Sequence, residues 1–329
     1  MTQAAFVERH GPEWEAFEAW LKRRDELRRT DEKHLPQAPI ADAAVPERYR
    51  RLCQHLALAR DRQYSPDLVD RLNALVLRGH HLLYGASGGR RQRGLEFLQR
   101  GFPRLVREEA RFVCAAAVLF FGPFLAMLAA LQYFPDFAYY VLAPEQIAQI
   151  HQMYDPANKR LGTRDADKYF AMFGLYVWNN VQIGFQTFAG GLLFGIGTVY
   201  YLGANGVVIG AVAGYLTQIG FGESFYSFTS GHSALELTAI VISGAAGLKV
   251  GSALYAPGAR SRKNALIVTA RTAVRLMWGA AGMFFLAALV EGFWSPLTAV
   301  PFPVKVAVGL ALWVIVIGYL ALAGRGHAD

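Results

Sequence analysis

Long apolar stretches with few or no charges constrain the fold of this chain most strongly. The first runs from Phe112 to Phe134 without a single Asp, Glu, Lys or Arg. About 20 apolar residues of helix cross the hydrocarbon core of a membrane, which is about 30 Å thick. The glycine-rich stretch 206–221 is short, so it either crosses at a tilt or re-enters. The predicted spans are 112–134, 183–202, 206–221, 232–253, 275–291 and 304–324.

Charge divides the chain into two parts. Residues 1–111 hold 21 of the 33 Lys and Arg residues and 16 of the 25 Asp and Glu residues. Soluble domains average about 25% charged residues, so the rest of the chain is too poor in charge to be one. We therefore predict an all-α fold. It has a cytoplasmic helical domain over residues 1–111 and a polytopic membrane helical bundle of about six spans over residues 112–329.

Apolar residues at helical spacing predict helices within the N-terminal domain. The residues in these stripes are Tyr49, Leu52, Leu56, Leu68, Leu72 and Leu75. A further stripe, ending at Phe102 and Leu105, lies opposite several arginines and predicts a juxtamembrane, interfacial helix. Basic and acidic residues nearly balance in this domain and no nucleic-acid-binding motif is present, so we expect no nucleic-acid partner.

The distribution of Lys and Arg predicts the orientation in the membrane. The first 111 residues are rich in both and precede the first apolar stretch, so they are expected to stay in the cytoplasm. The short loop 254–274 has four basic residues and no acidic one, and six spans put it on the same side. Segment 135–175 has four basic and five acidic residues and is predicted to be extracytoplasmic. We expect a multi-pass protein of the cytoplasmic (inner) membrane, surrounded by lipid, with both termini inside.

Glycines repeat every four residues in several predicted spans and so line single helix faces. Small faces let helices approach closely in lipid, where no hydrophobic force drives them together. The repeated glycines either pack helices together within the bundle and within a homo-oligomer, for which a dimer is favoured, or form the lining of a flexible pore. The candidate packing or hinge residues are Gly191, Gly195, Asn205, Gly206, Gly210, Gly214, Gly247 and Gly251.

Polar and ionisable residues interrupt three of the predicted spans. Such residues are costly in a membrane and are functional candidates. His232 and Glu236 are four apart, so they are neighbours on one helix face. The predicted topology brings all of these residues to one depth near the outer leaflet, either as a functional site or as a hydrogen-bonded tie between helices. The predicted intramembrane polar cluster comprises Asn179, Asn180, Gln182, His232, Glu236 and Glu291.

No catalytic motif is present in the sequence. Gly231-His232-Ser233 lacks the rest of a nucleophile elbow, and there is no Walker A or dinucleotide-binding glycine motif. The single His-x-x-x-Glu pattern supplies two metal ligands, whereas zinc sites use three or four. We expect no enzyme activity, no catalytic residue, no metal and no cofactor.

The order of these features resembles the stage II sporulation protein M family of bacterial and archaeal membrane proteins. The resemblance extends to Trp20-Leu21, Tyr49-Arg50 and Leu72-Asn73 in the N-terminal domain and covers nearly the whole chain. The motifs that carry it are Asn179-Asn180, Gly190-Gly191-x-x-x-Gly195-x-Gly197-Thr198, Asn205-Gly206-x-x-x-Gly210, Gly231-His232-x-x-x-Glu236-Leu237 and Glu291-Gly292-Phe293-x-x-Pro296.

The resemblance implies a role without catalysis, as an integral membrane scaffold or assembly factor of the bacterial envelope. Sporulation members of the family are similar to scaffolds that join peptidoglycan-degrading partners. Other members occur in organisms that never sporulate, near genes for MoxR-type ATPases, von Willebrand A-domain proteins and RDD-type membrane proteins, which are the partners implied. The alternative function is a channel, transporter or lipid-handling protein that uses the intramembrane polar cluster.

Overall fold

The computed structural model describes residues 1–27, 40–41, 44–83, 94–157 and 166–325. These residues form α-helices with short 3₁₀ and π-helical turns and contain no β-strand, so the predicted all-α fold is confirmed. Residues 158–165 of the predicted extracytoplasmic segment lie outside the described residues. The chain divides into two compact units, Met1–Arg93 and Gly94–Asp329.

The described residues of the N-terminal unit form three helices, α1 (Gln3–Leu27), α2 (Val45–Asp61) and α3 (Pro66–Leu83). The predicted apolar stripes of α2 and α3 face its core, where large aromatic residues of α1 also lie. Ser65 directly precedes α3, and its hydroxyl accepts a hydrogen bond from Gln3 Nε2 (2.9 Å), which ties α3 to α1. The core residues include Phe6, Trp14, Phe17, Trp20, Leu21, Tyr49, Leu52, Leu56, Leu68, Leu72 and Leu75.

The apolar face of the predicted interfacial helix packs into the membrane unit. A π-helical turn (Phe97–Gly101) leads into α4 (Phe102–Glu108), and Phe102 and Leu105 are buried in the core of the membrane unit. The Phe102 ring lies against Gly279, where any side chain would collide with it. A helix with its aromatic residue held this way belongs to the bundle, which begins at residue 94 rather than 112.

The membrane unit is built from six long helices joined by shorter elements. In the described part of the chain, five helices are long and apolar enough to cross a membrane, and α8 is the more polar sixth. The elements in order are α5 (Ala110–Tyr133), α6 (Ala138–Val141), α7 (Pro144–Tyr154), α8 (Ala166–Ala189), α9 (Ile196–Gln218), α10 (Gly222–Tyr255), α11 (Arg262–Leu289) and α12 (Phe302–Leu322).

An ion pair marks one end of this bundle. Lys249 Nζ, near the end of α10, donates to Glu109 Oε1 just before α5 at 2.6 Å. Nearby, Arg107 Nη1 donates to the carbonyl oxygen of Leu320 at 2.7 Å. Following the predicted orientation, we call this the inner end and the opposite end the outer end.

Contacts between helices define the direction of each pass. Gly206 of α9 lies against Phe120 of α5, and Gly214 lies against Leu131, so α5 and α9 are parallel. Since both run from the inner to the outer end, the chain must return between them. That return is α8, because its Gly184 lies near Ser243 of α10. The bundle therefore makes six alternating passes although α8 falls below the hydropathy of the other five.

The boundaries predicted for the second and third spans are wrong. Stretch 183–202 is not one helix, because the backbone reverses at Phe194 and Gly195, which have φ angles of 53° and 86°. A 3₁₀ turn at Gly190–Leu192 ends α8, and residues 196–218 then form one complete pass. Positive φ angles favour glycine, so this glycine-rich tract builds a tight helical hairpin at the inner end.

The glycine faces pack helices of the same chain together. A Cβ atom placed on Gly210 would lie 2.9 Å from Phe124 Cα, and one on Gly251 would lie 2.6 Å from Gly195 Cα. Gly191 faces Gly247 in the same way. Asn205 takes no part in this packing, since its Nδ2 donates to the Tyr201 carbonyl oxygen one turn earlier at 2.7 Å.

Candidate functional site

Three ionisable side chains meet inside the outer half of the bundle. His232 Nε2 lies 3.7 Å from Glu236 Oε2, and His232 Nδ1 lies 3.1 Å from the hydroxyl of Ser295. One ligand atom from each of His232, Glu236 and Glu291 lies within 4.8 Å of the other two. We call these three residues the carboxylate–imidazole site.

Two helices position these side chains. The i, i+4 spacing in α10 puts His232 and Glu236 on one face, as predicted from the sequence. Glu291 lies in a π-helical turn, Val290–Trp294, that follows α11 and that the sequence did not indicate. Such turns interrupt the regular side-chain positions of a helix and are frequent at functional sites. Here the Ser295 amide donates to the Val290 carbonyl oxygen at 2.8 Å, which closes the wide turn.

Helix α8 contributes one member of the predicted cluster. Asn180 is only 2% exposed and lies beside Glu291. Among the described residues, neither Asn180 Nδ2 nor Glu291 Oε2, both of which are buried, has a hydrogen-bond partner. Asn179 and Gln182 were predicted in the same cluster, but they lie on the exposed face of α8. Successive residues of a helix point about 100° apart, so three residues this close in sequence cannot all face the bundle interior.

A cavity of about 460 Å³ reaches the carboxylate–imidazole site. Most of its wall is aromatic and aliphatic, and its polar lining includes the two carboxylates Glu236 and Glu291. Val208 and Leu310 line the cavity, and their side chains are 41% and 63% exposed on the side of the bundle. The cavity therefore opens towards the side of the bundle rather than at one of its ends. Its lining includes Phe121, Phe124, Tyr154, Val208, Ile209, Val212, Phe228, His232, Glu236, Leu237, Glu291, Leu310 and Trp313.

Two polar residues at this site were not predicted from the sequence. Tyr154, at the end of α7, is 8% exposed and lines the cavity, and burial raises the pKa of its hydroxyl. Ser295 is 2% exposed and bonds His232. Both lie outside the predicted spans, in connecting segments whose helical pattern is short. Nothing in their local sequence separates them from ordinary loop residues.

The structure also changes the count of metal ligands. The sequence supplied two, His232 and Glu236, and Glu291 joins them as a third nitrogen or oxygen donor. Three protein donors with an open position are the pattern of catalytic metal sites. In the N-terminal unit, His10, Glu13 and His55 also lie within 4.8 Å of one another. There the indole nitrogen of Trp14 donates to His55 Nδ1 at 3.1 Å, and Arg51 lies 3.5 Å from Glu13, so those groups already have partners.

Comparison with known proteins places this geometry in a family. The family model described as stage II sporulation protein M matches residues 113–296, from α5 to just beyond the π-helical turn. The chain belongs to the stage II sporulation protein M family. A second model, a domain of unknown function (DUF8413), matches residues 4–85 in the N-terminal unit. Neither a curated protein nor a solved structure matches the chain.

The family assignment and the five apolar helices make this a multi-pass membrane protein of the stage II sporulation protein M family. The matched region contains all three residues of the carboxylate–imidazole site. Helix α12, which supplies Leu310 and Trp313 to the cavity wall, lies beyond the match. One side of the cavity is therefore formed by a part of the chain that the family model does not cover.

Proposed function

We propose that this protein binds an amphiphilic molecule with a cationic head and moves it within, or out of, the outer half of the membrane. The head group lies against Glu236 and Glu291, and the apolar body occupies the cavity. The observation that carries the proposal is the apolar cavity that opens sideways and ends at two carboxylates. Among the two functions implied by the sequence, this geometry favours the transporter or lipid-handling protein over the scaffold.

The shape and lining of the cavity suit a ligand that comes from the bilayer. Ligand pockets are mostly apolar with a few convergent polar groups, and they span about 300–1,000 Å³. The cavity volume of about 460 Å³ falls within this range. Because Val208 and Leu310 at its edge are exposed where lipid surrounds the bundle, a ligand can enter without crossing water. A scaffold needs only a packed bundle and gives no reason for such an opening.

The charge balance at the cavity end favours a cationic group. Burying an ionised carboxylate is costly unless a partner neutralises it. In the described part of the chain, no Lys or Arg lies within 4.0 Å of Glu236 or Glu291, and His232 Nε2 lies 3.7 Å from Glu236 Oε2. A bound ammonium group would neutralise a carboxylate and donate to Glu291 Oε2. A proton or a metal ion is the simpler alternative, since either would satisfy the same oxygen atoms.

The direct test measures binding of a dansylated long-chain alkylamine to the full-length protein in lipid nanodiscs. We expect saturable binding that falls at least about tenfold in Glu236→Gln and Glu291→Gln, because each loses a charge-assisted hydrogen bond. The dansylated alkyl carboxylate of equal length should bind more weakly than the amine. Thr229→Val is the matched control. Its hydroxyl lines the cavity but donates to the Phe225 carbonyl oxygen at 3.0 Å, so amine binding should not change.

Two results would contradict this proposal. If the amine and the carboxylate bind equally well, the carboxylates do not select the head group. If no amphiphile binds but Mg²⁺, Mn²⁺ or Zn²⁺ does, and Glu291→Gln abolishes that binding, the site holds a metal ion instead. Measuring proton or cation flux in liposomes from the same preparations then separates transport from binding.

The N-terminal unit favours a second candidate function, that of a scaffold in the inner membrane. Residues 1–93 form a compact unit with their own apolar core, and the membrane passes do not need such a unit to hold a cavity. We propose that it recruits soluble partners without catalysis. Family resemblance suggests MoxR-type ATPases, von Willebrand A-domain proteins and RDD-type membrane proteins.

Charge reversal on the N-terminal unit tests the scaffold function. Arg51→Glu and Arg71→Glu change exposed side chains, whose partners among the described residues are Glu13, Glu47 and Glu18, so folding should persist. We expect reduced recovery of a purified MoxR-type ATPase on the full-length protein, whereas Glu236→Gln should leave it unchanged. Equal recovery by all variants would argue against this surface. Mass photometry of the same samples checks the proposed dimer.

A further inference from the structure

A second cavity lies at the outer end of the bundle, beside the carboxylate–imidazole site. Its volume is about 520 Å³, and it is formed by the start of α10, the segment after the π-helical turn and the start of α12. We call it the outer cavity. Its lining includes Pro156, Glu223, Ser224, Ser227, Phe228, Ser295, Thr298, Pro301, Phe302 and Lys305.

The outer cavity contains a buried lysine without a counter-charge. Lys305 is only 4% exposed. Its Nζ donates to the carbonyl oxygen of Ser295 at 2.7 Å and lies 5.8 Å from the centre of the Trp294 ring. No carboxylate in the described residues lies within 4.0 Å of it, and an ammonium group has three hydrogens to donate. Since burying an unpaired charge is costly, Lys305 has both the charge and the free donors to hold an anion.

Two helix ends add positive potential to the same space. Helix α12 begins at Phe302 and α10 begins at Gly222, and neither has a side-chain cap. The first turns of both helices line the outer cavity. Unpaired amide groups and the helix dipole make a helix N-terminus a favourable place for phosphate. Lys305 therefore lies where two sources of positive potential meet.

The remaining polar groups fit a phosphate group better than a single-atom anion. Ser224, Ser227 and Thr298 carry hydroxyls that can donate to several oxygen atoms of one ligand. The cavity is also larger than one phosphate ion requires, which favours a phosphate carried by a larger molecule. Glu223 is exposed at the edge and is the one acidic residue in the described lining. The negative charge of Glu223 repels an anion, so neutralising this residue provides a way to test the site.

We infer that the outer cavity binds a phosphate group, carried by a lipid headgroup or by a free solute, with Lys305 as its counter-ion. This site goes beyond the proposed amphiphile function and does not depend on it. Ser295 connects the two, because its carbonyl oxygen bonds Lys305 while its hydroxyl bonds His232. Substitutions at one site can therefore be used to test whether ligand binding at the other site is affected.

Two probes distinguish the sources of phosphate. Inorganic phosphate is titrated by calorimetry into the delipidated full-length protein. Phosphatidylglycerol is compared by native mass spectrometry with diacylglycerol, which has the same tails and no phosphate. We expect binding of one or both phosphate probes and no preference for diacylglycerol. Binding of phosphatidylglycerol alone identifies a lipid as the source, and binding of inorganic phosphate identifies a solute.

Charge variants test the role of Lys305. Lys305→Met should weaken phosphate binding at least about tenfold, since it removes a charged donor, and Lys305→Arg should retain most of it. Glu223→Gln should strengthen binding and does not disturb the buried lysine, so it reports even if Lys305→Met fails to fold. Lys263→Met, at the exposed start of α11 near the inner end, is the matched control and should bind like the unchanged protein.

The inference is overturned if neither phosphate probe binds, or if a folded Lys305→Met binds as tightly as the unchanged protein. It is also overturned if Glu223→Gln and Lys263→Met bind equally. Glu236→Gln, the variant that tests the amphiphile function, should leave phosphate binding unchanged. Loss of amine binding with retained phosphate binding in that variant would show that the two sites are independent.

Discussion

The inner and outer halves of the membrane bundle treat buried charge in opposite ways. At the inner end, Lys249 and Glu109 form a direct ion pair at 2.6 Å, with side chains 16% and 12% exposed. In the outer half, Glu236 and Glu291 share one imidazole, and Lys305 has no acidic partner within 4.0 Å in the described residues. Paired charges hold helices together, whereas unpaired charges beside cavities are suited to a ligand. This contrast supports our proposals that the inner end is structural and that the outer half binds a ligand.

The largest expected effect on stability is at the inner ion pair. Lys249→Met leaves Glu109 buried without its partner, which should reduce the free energy of unfolding by about 3 kcal/mol. Unfolding by SDS in mixed micelles, followed by circular dichroism, measures this. The double variant Lys249→Met/Glu109→Met removes both charges and should recover most of the loss. If the single variant is as stable as the unchanged protein, the ion pair does not hold the inner end.

The next effect comes from the glycine contacts near the inner end. Gly247→Val adds atoms where a Cβ would lie 2.9 Å from the Phe188 carbonyl oxygen, so α8 and α10 must separate. Overpacking of this kind costs about 1–3 kcal/mol. Gly282→Ala, whose Cβ would meet nothing within 4 Å, is the control and should be neutral in the same SDS unfolding assay. Equal stability of both variants would mean that the helices are not in close contact.

In the outer half, removal of a carboxylate should leave stability almost unchanged. Glu236→Gln keeps the size of the side chain and removes a buried carboxylate that has no Lys or Arg within 4.0 Å among the residues that the structure describes. Such a change is neutral or slightly stabilising, within about 1 kcal/mol. The same unfolding assay compares it with Lys249→Met. A loss as large as that of Lys249→Met would mean that the outer carboxylates are structural ties, and the contrast between the two halves would fail.

The smallest effect concerns a buried imidazole outside the membrane. Burial and the neighbouring His10 lower the pKa of His55 from its usual 6.5, and Trp14 donates to its unprotonated Nδ1. The unfolded chain therefore binds the proton more tightly. The lowered pKa of His55 therefore contributes its full stabilisation of the folded state above about pH 6.5. This stabilisation decreases as the pH falls below that value.

Tryptophan fluorescence during unfolding between pH 5 and 8 measures this effect. His55→Phe should remove most of the pH dependence of the N-terminal unit, and His80→Phe, at an exposed position of α3, serves as the control. If the His55→Phe variant keeps the full pH dependence, another group is responsible.

Much of the outer site could be predicted from the sequence. His232 and Glu236 are charged or polar in an apolar stretch, and their four-residue spacing fixes their shared face before any tertiary contact is known. Glu291 was predicted at the same depth because alternating passes bring its end of α11 to that side. The orientation of α8 was not predictable, because its polar residues lie on more than one side of the helix and do not mark a single inward face. Asn180 was therefore grouped with Asn179 and Gln182, which face outward.

The glycine tract shows where a local pattern is ambiguous. Gly191 and Gly195 are four apart, which is equally consistent with a packed helix face and with a turn. The sequence analysis placed them in a span, whereas Phe194 and Gly195 have positive φ angles and reverse the chain. A hydropathy value is averaged over a window of residues that includes both sides of such a turn, so the average does not show where the turn lies. The same error split α9 between two predicted spans.

The sequence by itself determined that this chain is an all-α membrane protein, because only helices satisfy the backbone of long apolar stretches in lipid. It also determined which polar residues interrupt those stretches. The tertiary structure decided which of them meet, since contact depends on the rotation of each helix and on the π-helical turn that carries Glu291. It alone revealed Tyr154, Ser295 and Lys305 beside the two cavities. Those residues come from separate parts of the chain, and packing, rather than local pattern, brings them together.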